Sequence, residues 1–447
     1  MSELQKLTEQ LLSAAKKAGA DDADAIATDG TSVSIEVLNG ALEHAERSEG
    51  IEIGLRVLIG KRQACVSASD TNASTINEMA ERAVAMARLA PEDPHIGLAA
   101  ADQIATNWDV ESLELVDDRP DPAPNDLQDA AARAEAAALA IPGISKADSV
   151  SSGFSRSMMY LAATNGFAGG YARGSHWLSC VAITGEGTEM ERDYYGESRV
   201  FADELPSPED VGRIAGERTI ERAGARKPPT GAFPVLYDER VASGLIGHLL
   251  SAANGASVAR GASWVQDKLG EQVLPEGLSI IEDPHRPRVS SSKPFDAEGL
   301  ATHRRTVVDN GILQGWTLDL ATARKLGMTS TANAARGAGS PPAPRLGNIS
   351  LTPGDDSRDD LLRDMGTGLL VTSLIGSSIN PTTGDYSRGA SGFWVEGGEI
   401  TYPVNECTIA GNLNEMLRSI RPANDARAHL SRVVPSLLVE GLTIAGE

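Results

Sequence analysis

Four dipeptides set the strongest limit on how this chain can fold: Asn39-Gly40, Asn165-Gly166, Asn310-Gly311 and Gly397-Gly398. Each stands at the end of a strand-like run rich in apolar residues. Two-residue turns of this kind need backbone at positive φ, which Asn and Gly adopt most easily, and they join neighbouring strands head to tail. Before the first, Val33, Ile35 and Val37 alternate with Ser32, Ser34 and Glu36. After the last, EITYPV follows FWVE across the two glycines. No regular strand–helix–strand alternation separates them, so the spacing predicts an α+β protein with mostly antiparallel sheets.

The N-terminal stretch reads as helix, about four strands, helix. Leu4, Leu7, Leu11 and Ala15 recur at helical spacing, with Ser2 and Gln5 placed for a capping box. Strands follow on either side of Asn39-Gly40, at Ile51 to Val57 and around Cys65, and a second helix is expected from Thr75 to Leu89, opened by Thr75 and Glu78. Residues 91–124, rich in Pro, Asp and Glu, read as a long surface connection. The order then recurs: an Ala-rich helix at 126–141, strands through Met158 to Leu161 and Trp177 to Ile183, and a helix starting at Ser207-Pro208-Glu209-Asp210. The two blocks, 1–90 and 126–226, are expected to be a duplicated helix–strands–helix unit.

Lys227-Pro228-Pro229-Thr230-Gly231 breaks this pattern. Consecutive prolines followed by glycine end any regular element, so the boundary is set here. An N-terminal α/β domain is assigned to 1–226, and a C-terminal domain of mostly antiparallel β-sheet with short helices to 227–447. Those helices are expected at 238–253, 319–326, 359–365 and 413–420.

Composition narrows the function. Forty basic against 62 acidic residues leave a net charge of −22. That balance lacks the cationic footprint required by nucleic acid or an anionic membrane. Residues 1–20 carry no apolar signal core, and no apolar run approaches the ~18 residues of a membrane span. The three cysteines, Cys65, Cys180 and Cys407, are odd in number and widely spaced, as in a reduced cytoplasmic protein. The chain has no G-x-S-x-G, no phosphate-binding loop, no dinucleotide fingerprint and no H-E-x-x-H. None of its seven histidines lies within five residues of another. A metal site assembled from distant residues such as His285, His303 and Cys407 is the weaker reading. His248 shares the helical stripe Val241, Leu245, Ala252, and so faces packing or a cleft.

The densest unusual segment is 381–412, in which Gly384 and Gly389 bracket Asp385-Tyr386-Ser387-Arg388. It reads either as a hairpin loop held by an Asp–Arg pair or as a loop lining a cleft, with Arg388 able to hold a carboxylate or a carbonyl.

This segment, GDYSRGASGFWVEGGEITYPVNECTIAGNL, resembles the C-terminal signature of the PmbA/TldE proteins in the TldD/PmbA family. GLIGHLLSAANGASVARG, PFDAEG, RRTVVDNGIL and ARKLGMTSTANA resemble further blocks in the same order, so the likeness spans nearly the whole chain. It implies a subunit of a TldD–TldE type cytoplasmic metallopeptidase that processes or degrades small unfolded peptides. The family label "modulator of DNA gyrase" is then an indirect one. TldD-type chains carry HExxxH on a helix and a cysteine near the C-terminus as zinc-site residues. Laid over that motif, this chain has Gly247 and Ala252 at the histidine positions and His248 at the glutamate position, and its tail 424–447 has no cysteine. Gly and Ala cannot ligate a metal.

The expected assignment is therefore the non-catalytic partner. No catalytic residue, metal or cofactor is assigned to this chain; zinc is expected in a TldD-type paralogue, paired with it as a heterodimer. Extended peptides are the expected substrates, with Asp385, Tyr386, Ser387, Arg388 and His248 as cleft candidates. A self-sufficient hydrolase with a rearranged site, or a structural or adaptor homodimer, is the alternative.

Overall fold

The computed structural model describes residues 2–446. Its first half is one antiparallel sheet covered on one face by four helices. Helix α1 (Glu3–Ala18) buries Leu4, Leu7, Leu11 and Ala15 and is capped by Ser2, whose side chain accepts from the Gln5 amide at 3.2 Å. The return arm of the box is missing, because the Gln5 side chain donates to Glu9 instead. Strands β1 (Asp22–Leu38), β2 (Ala41–Ile59) and β3 (Arg62–Ala68) lead to α2 (Ala73–Leu89). Then α3 (Pro124–Leu139), β4 (Ile144–Ala163), β5 (Ala168–Thr184), β6 (Glu191–Arg199) and α4 (Pro208–Glu221) repeat the order helix, three strands, helix. The six strands run β3-β2-β1-β4-β5-β6, so the two triplets meet through β1 and β4, and β3 and β6 are the edges.

Two expectations need correction here. The first block holds three strands, not four, because β2 is continuous from Ala41 to Ile59. Its first ten residues are exposed on both faces and carry apolar side chains only at Ala41, Leu42 and Ala45, which hid them from a search for apolar alternation. Helix α2 starts at Ala73 with Asn72 as its cap. Thr75 opens no capping box; its hydroxyl donates to Asp70 at 2.6 Å.

Strand parity explains the layering. Odd positions of β1 (Ala23, Ala25, Ala27, Val33, Ile35, Val37) pack under the four helices. Even positions face the other way: Ile26 joins Leu161, Phe167 and Tyr171 beneath Phe295 and Ala338 from the second half. The 91–123 connection is not simply a surface loop. Its Leu113 and Leu115 enter this same layer, and Ala99 packs against Leu300 and Leu320. At Gly54 the halves approach so closely that a Cβ would lie 2.2 Å from the Ala338 carbonyl oxygen.

The second half is built on β7 (Gly231–Tyr237), α5 (Glu239–Ala252), α6 (Arg358–Met365), β8 (Gly368–Ile379), β9 (Asp385–Glu396), β10 (Glu399–Asn412) and β11 (Leu437–Ala445). The pairing order is β10-β9-β8-β7-β11, and β10 also pairs with β11, so five strands close into a ring. Only β7 and β8 run parallel within it. One face, with Val235, Tyr237, Leu369 and Val371, packs with α5; the other, with Leu236, Leu370 and Phe393, packs with α6. The other expected short helices form at Leu320–Leu326 and at Leu413–Met416, prolonged by a turn to Ser419. At the Asn39-Gly40, Asn310-Gly311 and Gly397-Gly398 turns both residues have positive φ; at Asn165-Gly166 only the glycine does, and Asn165 Oδ1 accepts from the Phe167 amide.

Candidate substrate cleft

Asp385 to Arg388 are the first four residues of β9, not a loop. The extended backbone divides them between two faces, so all four cannot line one cleft. Tyr386 is buried toward α5. Asp385 points away; its carboxylate accepts from Thr383 Oγ1 at 2.7 Å and Asn412 Nδ2 at 2.9 Å, and these bonds hold its pKa below the usual range. Asp385 therefore fastens the turn before β9. Ser387 shares its parity. The expected Asp385–Arg388 pair does not form, since residues three apart on a strand face opposite sides.

The structure does bring His248, Tyr386 and Arg388 together and adds Tyr237, which the sequence reading missed. Asp238 accepts from the Arg240 amide at 3.1 Å and caps α5 directly after β7, so Tyr237 ends its strand against the helix. The His248 ring lies 5.8 Å from that of Tyr386, edge to face, and its Nε2 is buried without a hydrogen-bond partner. Burial, then the neighbouring Arg388 charge, lowers the His248 pKa, which keeps the imidazole neutral near pH 7. Burial raises both phenol pKa values; the Tyr237 hydroxyl lies beside that of Tyr386 but makes no hydrogen bond of regular geometry.

Of these groups, Arg388 lines a 1280 Å³ cavity between the two halves. Its sides are β6 residues 191–194, the first turns of α5, and parts of β8, β9 and β10. Glu197 on β6 holds the junction: it accepts from Arg199 Nη1 at 2.5 Å, Arg427 Nη1 at 2.7 Å and His429 Nε2 at 3.2 Å. Arg427 also donates to Glu239 on α5 at 2.8 Å. Burial alone would raise the Glu197 pKa, but Arg199 and then Arg427 outweigh it and lower it.

The positions aligned with a zinc motif do not form a ligand set. A Cβ at Gly247 would lie 3.0 Å from Arg432 Nη1, so a cation fills the space where a side chain would project. Ala252 is packed in the core. The Cys407 thiol donates to the Ala390 carbonyl at 3.2 Å, and burial pushes its pKa up to about 11. His285 bonds Thr302 Oγ1 at 3.0 Å. Among the described residues no three His, Cys, Asp or Glu side chains gather in a metal-binding group.

Three family models match the chain in order: PmbA/TldA metallopeptidase domain 1 over 23–87, the central domain over 117–223 and the C-terminal domain over 230–446. The chain is 37% identical to Metalloprotease PmbA of Escherichia coli O157:H7 over 430 residues, 96% of this chain and 93% of the other. It is also 37% identical to the Metalloprotease PmbA homolog of Haemophilus influenzae over 448 residues, covering 99% and 96%. A Bacteroides thetaiotaomicron crystal structure assigned as a modulator of DNA gyrase superposes with a TM-score of 0.91 at 26% identity, covering all of both chains. TldE from Thermococcus kodakarensis shares the fold, with a TM-score of 0.85 at 20% identity over 98% of this chain and all of the other. With matching domains along its length and relatives of this identity over nearly all of it, the chain belongs to the PmbA/TldD metallopeptidase family.

Proposed function

We propose that this chain is the non-catalytic subunit of a TldD–TldE type peptidase complex, which binds extended peptides and presents them to a zinc site on a TldD-type partner. The observation that carries the reading is the composition of the α5 wall: Gly247 and Ala252 offer no donor, and Arg432 Nη1 stands at the Gly247 position. Zinc does not fit these residues. A catalytic site needs about three protein ligands, whereas α5 offers the single imidazole of His248, with the Arg388 guanidinium near enough to depress its pKa.

What this chain contributes is a place for substrate. Strand β6 ends its sheet, so no strand pairs with its outer side among the described residues. An extended peptide laid there would be read mainly through its backbone, with weak sequence preference. Met190, Tyr194 and Ile375 are exposed at the cavity wall and give apolar side chains a surface to cover.

The test is to purify the chain, mix it with a TldD-type paralogue, and follow particle mass by light scattering alongside peptide cleavage. A two-chain particle with chelator-sensitive cleavage that neither chain shows alone is expected. One-chain particles, alone and mixed, or full cleavage by the partner without this chain, overturn the reading.

A further inference from the structure

Although the whole chain carries a charge of −22, the 1280 Å³ cavity between its halves is cationic. Lys146, Arg192, Arg222, Arg240 and Arg388 line it against three acids, a local excess of two positive charges. The acids are already engaged. Asp193 lies 3.3 Å from Arg240 and 3.6 Å from Arg222. Glu191 accepts from Asn405 Nδ2 at 2.5 Å, and Glu406 pairs with Lys227 at 3.6 Å.

Lys146 and Arg192 are exposed to water, Arg222 and Arg240 share Asp193, and Arg388 is the half-buried cation left over. Its Nε is shielded from solvent without a hydrogen-bond partner, and the guanidinium pairs with no acid among the described residues. One further buried polar atom in its neighbourhood, His248 Nε2, also lacks a partner. An unpaired guanidinium at a cavity wall is costly in the free protein, and its planar fork matches carboxylate and phosphate, of which an unmodified peptide carries the carboxylate. We infer that Arg388 is the anchor of a carboxylate subsite, so that this cavity takes peptides by a negatively charged group. The carboxylate is either the peptide's own C-terminus or an acidic side chain. The inference rests on the peptide-binding reading and adds to it the group that is recognised.

The experiment titrates the full-length chain, in low-chloride buffer, by calorimetry with three alanine-based hexapeptides: free acid, C-terminal amide, and amide with an internal glutamate. Succinate is titrated separately. Tighter binding of the free acid than of the amide, by tenfold or more, with the difference falling below twofold in Arg388→Met, is expected for a C-terminal carboxylate. The same preference for the glutamate peptide assigns the subsite to acidic side chains. Arg388→Lys should recover part of the loss. If Arg388→Met does not fold, the acid-to-amide ratio on the unaltered chain still decides. Equal affinities for all three peptides overturn the carboxylate subsite and leave peptide binding intact. Arg388-dependent succinate binding with no peptide binding keeps the subsite and overturns the peptide reading.

Discussion

Replacing Asp24 by Asn should cost this fold about 3–5 kcal/mol, because it leaves two buried guanidiniums without a counter-charge. Asp24 is 3% exposed on the even face of β1, where the two halves of the molecule meet. It accepts from Arg56 Nε at 2.6 Å and from Arg336, whose side chain is fully buried and comes from 312 residues further along the chain. Neither arginine has an equivalent alternative. Arg56 reaches Gln63 only at 3.4 Å, Arg336 reaches the Gly337 carbonyl only at 3.4 Å, and Arg336 Nη2 already lacks a partner. The loss multiplies the unfolded population by roughly two to four powers of ten, against a total stability of about 5–15 kcal/mol.

Urea denaturation followed by circular dichroism measures this directly. The acid limb provides a second reading. Burial alone would raise the Asp24 pKa, but Arg56 and Arg336 outweigh it and hold it below the usual carboxylate range. The unfolded chain then binds the extra proton. Stability from this group is therefore present above the unfolded pKa and lost as pH falls through the folded one. Asp24→Asn should remove that part of the acid slope. A change below 1 kcal/mol with an unaltered slope would refute the argument that this triad joins the halves.

Two other outcomes follow from burial. Glu298 is buried beside Asp296 and Asp319, and burial with those charges raises its pKa well above 4.5, so the folded state binds the proton more tightly and stability falls as pH rises through this range. Glu298→Gln, which can still accept from the Leu320 amide, should be more stable than the parent at pH 8 and less sensitive to pH, as measured by thermal melting. Burial pushes Cys180 up to about 12 and Cys407 up to about 11, and raises Cys65. At pH 8 a thiol reagent should therefore label none of the three within minutes in the native protein, and all three in denaturant; rapid native labelling of Cys407 would contradict its packing.

The hairpins were legible because a two-residue turn is a local event: Asn310 and Gly311 must take positive φ whatever lies elsewhere in the chain. The first ten residues of β2 were not, since both their faces meet water and no apolar alternation marks them. Tyr386 and Arg388 stood out as unusual residues, but their separation from Asp385 and Ser387 needed the knowledge that this stretch is a strand. His248 was expected at packing or a cleft from its helical stripe, and it is half-buried with its ring packed edge to face against Tyr386. Tyr237, Arg432 and the β6 wall carried no signal, because the cavity joins segments near 191, 240, 373, 388 and 406 that meet only through topology.

The central claim is that this chain carries no catalytic metal of its own, and elemental analysis of the purified chain after dialysis against a mild chelator tests it most directly. The account predicts well under one zinc per chain and no peptide cleavage in the absence of a partner. One tightly held zinc per chain, together with chelator-sensitive cleavage by the chain alone, would contradict it.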